Sequence, residues 1–156
     1  MHDDAWNLRV RGENETQRLD RNWAGLLQEL RVVQTGVQVL TGFLLTLPFQ
    51  ARFNSLDTPL RVLYLVVVSA SIAATALLVG PVAAHRILFR RHRLETLVAT
   101  AHRSAIAGLA LLGIALVGLT ILIFDVVAGT VVGIAAGVVG ALLFLGVWVG
   151  VPVRRR

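Results

Sequence analysis

From Ala105 to Val153 the chain is one unbroken run of apolar, glycine and hydroxyl residues carrying a single charge, Asp125. A helix needs about 20 such residues to cross a hydrocarbon core roughly 30 Å thick. The run is too long for one crossing and right for two, so Asp125 to Thr130 is expected to be a tight hairpin. The chain has 156 residues, is 56% hydrophobic and has a mean hydropathy of +0.73, which excludes an ordinary water-soluble domain.

Two further runs precede this one. The four expected spans are about 28–49, 60–80, 104–124 and 129–151. Pro48 marks the end of the first, and Pro59 and the pair Gly80 and Pro81 bracket the second, being residues that start and stop helices. Residues 1–22 read as a cytoplasmic tail and 23–156 as the membrane domain, with Trp23 at interface level. The tail mixes acids and bases and lacks the apolar core and cleavage site of a signal peptide. The expected fold class is all-α, an integral-membrane four-helix bundle built from two hairpins.

Arginine placement orients these spans. Arg18 and Arg21 precede the first, and Arg86, Arg90, Arg91, Arg93 and Arg103 lie between the second and third. Arg154, Arg155 and Arg156 end the chain, whereas the other two connections hold only Arg52 and Arg61. The positive-inside rule therefore puts both termini and the central loop in the cytoplasm of a bacterial inner membrane, in agreement with the even number of spans. Arg86, Arg90, Arg91 and Arg93 form a cluster suited to anionic lipid headgroups. The formal net charge of +6 is concentrated at these membrane edges and suggests no nucleic-acid partner.

Helices in lipid gain little from hydrophobicity and associate by close approach through small residues. The fourth span offers Gly133, Gly137 and Gly140, and the third offers Gly108 within a row of alanines. These rows serve either to close the bundle or to join subunits, and a homo-oligomer or a larger membrane complex is an expected state.

The first span differs from the others. On a wheel at 100° per residue, Gln28, Gln34, Thr35, Gln38 and Gly42 fall within about 60° of Arg31, and Thr41 lies slightly beyond. Arg31 and Glu29 are close enough to the cytoplasmic edge for their side chains to reach headgroups. Gln34 and Gln38 are too deep for that, so their amides must meet protein or water. Two readings follow: bonds to Ser69, Ser71, Thr75 or a symmetry mate, or a hydrated path lined by Gln34, Thr35, Gln38 and Thr41 with Arg31 at its mouth. Glu29 and Asp125 are the candidate proton- or ion-binding carboxylates, with capping of the fourth helix or a place at the outer water interface as the ordinary role for Asp125.

Other chemistry finds little support. The chain has no cysteine, which removes disulfides and thiolate metal sites. His85, His92, Glu95 and His102 could share one side of a helix, but their spread over several turns suits a solvated, headgroup-facing surface better than a metal site. No phosphate-binding glycine loop, zincin motif or nucleophile elbow is present. Neither enzymatic activity nor a cofactor or metal is expected.

The stretch NWAGLLQELRVVQTGVQVLTGFLLTLPFQARF, with the later LLVGPVAAHRILFRR and AHRSAIAGLALL, resembles a family of small, functionally uncharacterised bacterial four-span membrane proteins. The resemblance covers most of the chain and implies the same topology. Some members carry the label sodium:proton antiporter. The polar stripe of the first span makes ion- or proton-linked transport or channel activity by an oligomer the leading expectation. The alternative is a non-catalytic accessory or scaffold protein that binds a membrane complex or anionic lipid.

Overall fold

The computed structural model describes Gly12 and residues 15–88 and 94–150. It contains four long helices, α1 (Glu15–Thr46), α2 (Thr58–Leu88), α3 (Leu94–Ala128) and α4 (Thr130–Leu145), and no strand among the described residues. Each helix is part of a segment long and apolar enough to cross a membrane, so the chain is a multi-pass membrane protein. α2 and α3 form the centre, α1 packs on α2 and touches α3, and α4 packs on α3. The outer faces of α1 and α4 therefore lie at the periphery.

The hairpin end is pinned by backbone chemistry. After α1, two 3-10 turns cover Leu47–Phe49 and Ala51–Ser55, separated by an extended Gln50. Asp57 Oδ1 accepts the Leu60 N–H at 3.1 Å and starts α2, a cap compatible with Pro59, whose missing N–H is not needed in the first turn. Arg61 donates to the carbonyls of Leu56 and Asn54 and holds the second turn down. Arg52 donates to the Val126 carbonyl at 3.3 Å, tying the first hairpin to the end of α3.

The second hairpin is tighter than expected. α3 runs through Asp125 to Ala128, and Gly129 alone makes the turn, with φ 90° and ψ 166°. That backbone region is essentially closed to residues with a Cβ. Asp125 does not cap α4, whose first turn has no side-chain cap. The reason is local: Asp125 is an internal residue of α3, and its carbonyl accepts the Gly129 N–H at 2.8 Å.

Pro81 also departs from expectation. The helix does not stop there but continues to Leu88 with Pro81 buried. Within a membrane, a proline is tolerated where neighbouring groups satisfy the backbone it disturbs.

Small residues bring the central helices together. A Cβ at Gly108 would lie 2.8 Å from Leu78 Cγ, and one at Gly118 would lie 2.5 Å from Val67 Cγ2. A Cβ at Gly133 would lie 2.9 Å from the Ile121 carbonyl oxygen and the Asp125 nitrogen, and one at Gly137 would fall on the Ile121 side chain. Gly140 faces open space. Around these contacts lie two apolar clusters, Leu30, Val37, Ala74 and Leu78 nearer the chain's terminal end, and Leu44, Val67, Ala70 and Ala115 nearer the hairpins. Trp23 packs on Ala101 beyond the first cluster.

α1, α2 and α3 have 32, 31 and 35 residues. At 1.5 Å per residue they are about 46–52 Å long and exceed the hydrocarbon thickness. With the hairpin ends aligned, the excess projects at the terminal end. α4, with 16 residues and a following π-helical turn at Gly146–Gly150, has little to spare.

Candidate functional site

The polar residues of the first span do not form one wall. They fall on both sides of the edge where α1 meets α2. Gln34 and Thr41 turn inward and are half-buried, while Gln28, Glu29, Arg31, Thr35 and Gln38 are exposed on the outer surface.

The inward pair is bonded to α2. Gln34 Nε2 donates to the Leu78 carbonyl at 2.7 Å. Pro81 has no N–H for the carbonyl four residues before it, that of Leu77, and its ring crowds that turn. The Gln34 amide thus supports the helix beside its weakest point. Seven residues along α1, Thr41 donates to the Val37 carbonyl at 2.8 Å and shares a 2.5 Å contact with Ser71 Oγ. With the Thr41 proton committed to Val37, Ser71 is the donor between the two hydroxyls. Ser71 is fully buried.

A third bond completes the seam. The Tyr64 hydroxyl donates to the Leu44 carbonyl at 3.0 Å, and the Tyr64 ring meets Phe53 edge-on with centroids 5.0 Å apart. Leu44 belongs to the last turn of α1, where carbonyls have no helical N–H to accept. Thr46 satisfies another of them by donating to Phe43 at 2.7 Å. Ser71 was among the partners expected for the glutamines and instead serves Thr41, while Thr75 bonds its own helix at the Ser71 carbonyl. Ser69 is exposed. Tyr64 and Asp57 were missed from the sequence, although a lone tyrosine near the start of an apolar span and an aspartate two residues before a proline are both readable signals.

The outward set has a different character. Thr35 satisfies itself by donating to the Arg31 carbonyl at 3.0 Å. Gln38 has no hydrogen-bond partner among the described residues. Eleven residues separate it from Phe49, about 16 Å at helical rise, which places it near the middle of a hydrocarbon layer roughly 30 Å thick. An amide left unbonded in hydrocarbon costs several kcal/mol. Its neighbours on this face are Arg31, Thr35, Gly42 and Leu45, all exposed, and a Cβ at Gly42 would have nothing within 4 Å.

The remaining candidates stand apart from α1. Asp125 is half-buried near the hairpin end of α3, and Glu29 is exposed near the terminal end of α1, so the two carboxylates lie at opposite membrane edges. Arg86 lies in the last turns of α2, where side chains fall outside the described set, and Arg90, Arg91 and Arg93 lie outside the described residues altogether. The same holds for His92 and for the side chains of His85 and Glu95, whereas His102 is exposed on α3. Among the described residues no three His, Asp or Glu side chains converge on a metal position.

No curated protein and no solved structure matches the chain. A family model matches residues 12–152, nearly the whole of the described chain including the α1 face and both hairpins. The chain belongs to that family, a family of unknown function (DUF6328) with a four-helix, membrane-spanning architecture.

Proposed function

We propose that the chain is a non-catalytic assembly protein of a bacterial inner membrane, with both termini cytoplasmic, that engages its partner inside the bilayer through the outer face of α1. The observation that carries this reading is Gln38, an exposed and unbonded amide at mid-membrane depth. Polar side chains in membrane helices face protein or water because lipid offers them nothing. The alternative of a path through the centre of one chain has little support, since Gln34 and Thr41 are bonded to α2 and the surrounding interior is Val37, Leu44, Val67, Ala74 and Leu78. A photoactivatable residue at position 38 in native membranes tests the reading: adducts are expected there and absent at Val139 on α4. Equal labelling by lipid at both positions, with no protein adduct, would overturn it.

A second reading keeps the same face and gives it water. In an oligomer with α1 around a central axis, Gln38 and Thr35 would line an ion or proton path with Arg31 at its cytoplasmic mouth, and Glu29 would be the nearest carboxylate. The run of exposed polar residues along one flank of α1 favours it. Sodium and proton exchange is the form that the sequence resemblance suggests. Purified protein in liposomes should then carry a sodium or proton flux that Gln38→Leu abolishes; a flux no greater than that of empty vesicles rules this reading out. In either case the arginines between α2 and α3 are proposed to rest against anionic headgroups.

A further inference from the structure

A carboxamide offers two N–H donors and one carbonyl acceptor, so it is complementary to another copy of itself. Copies of one chain enter the membrane with one orientation, so each carries Gln38 at the same depth. We propose that the partner of the α1 face is a second copy of this chain, paired in parallel about a two-fold axis with the two Gln38 amides hydrogen-bonded to each other. This rests on the assembly reading and names its partner.

The residues around Gln38 fit that arrangement. Gln28, Thr35 and Gly42 are seven apart, as are Arg31, Gln38 and Leu45, and all six are exposed. A three-four alternation of this kind is the seam of two parallel helices wound left-handedly. Gly42, one turn from Gln38, has open space above it and lets the two backbones close. Thr35, its hydroxyl already given to Arg31, packs as a small side chain and needs no partner. The two Arg31 side chains lie near the membrane edge, where their long stems carry the guanidinium groups apart into the headgroups. The exposed side of α4 offers no such seam: Val131, Ile134, Val138, Leu142 and Leu145 are all apolar and content in lipid.

The absence of cysteine makes the test clean. In the full chain reconstituted in liposomes, mild oxidation should link dimers at Thr35→Cys and Gly42→Cys and not at Gly36→Cys or Phe43→Cys, which point to the far flank. In the Gly42→Cys background, Gln38→Leu should weaken dimerisation about 3- to 30-fold, the range for one intramembrane polar contact, and Gln38→Asn should restore part of it. Gln38 is exposed, so the monomer fold is unaffected by these changes. Dimers at all four positions, or dimers indifferent to Gln38→Leu, would overturn the proposal. A monomer in liposomes that forms an adduct from position 38 with a different polypeptide in native membranes would overturn self-pairing and leave the assembly reading standing. No adduct in either setting would overturn both.

Discussion

The two hairpins solve the same problem by different means. α1 and α2 are joined by side-chain bonds at three levels, Gln34 to Leu78, Thr41 to Ser71 and Tyr64 to Leu44, and by a loop held with arginines. Among the described residues α3 and α4 share no such side-chain bond; they meet through Gly133 and Gly137 and turn on one residue. Lipid tails are as apolar as leucine, so neither pair is held by hydrophobicity. The first hairpin is specified by hydrogen bonds, which fix register and tolerate distance. The second is specified by contact, which tolerates nothing larger than hydrogen.

The sharpest way to break this contrast is to fill the glycine contact. Gly137→Leu forces a side chain into the space held by Ile121 and should destabilise the α3–α4 pair by about 3 kcal/mol, measured by unfolding in mixed micelles. The same substitution at Gly140, which faces open space, should be nearly silent. Gly129→Ala comes next: its φ of 90° is hostile to any Cβ, and a loss of about 2 kcal/mol is expected in the same assay. On the other hairpin, Gln34→Leu removes the donor from the Leu78 carbonyl and should cost about 1 kcal/mol, with faster amide exchange around Pro81 as its signature. Tyr64→Phe should cost slightly less, about 0.6 kcal/mol, because the ring contact with Phe53 survives. Gln38→Leu is the smallest effect on the monomer, at or slightly above wild-type stability, since it replaces an unbonded amide with an apolar group. If Gln38→Leu harmed the monomer as much as Gln34→Leu, the division of α1 into inner and outer polar sides would be wrong.

The four crossings were legible because a long apolar run is a one-dimensional signal. The position of the second turn was legible too, to within a few residues. What the pattern misplaced was each polar group's direction. Wheel angles put Gln34 and Gln38 on a common stripe, but the edge of the stripe is set by where α2 lies, and α2 follows Gly108 and Gly118 onto α3. Four residues apart on α1, one amide reaches a carbonyl of α2 and the other is exposed on the outer surface. Pro81 misled for a related reason: in water it would end the helix, whereas here the helix persists and Gln34 of α1 bonds the nearby Leu78 carbonyl.

The single-residue turn at Gly129 also bears on how the chain enters the bilayer. With both termini cytoplasmic, as proposed, the first hairpin carries Arg52, Asp57 and Arg61 across the hydrocarbon, three charges on a folded loop. The second carries only Asp125, at about 3 kcal/mol for passage through the centre, against a gain of roughly 0.3–0.6 kcal/mol for each Leu, Ile, Val and Phe that it places in lipid. With no loop to export, α3 and α4 can insert together as one apolar wedge, and the energy to do so comes from their own side chains.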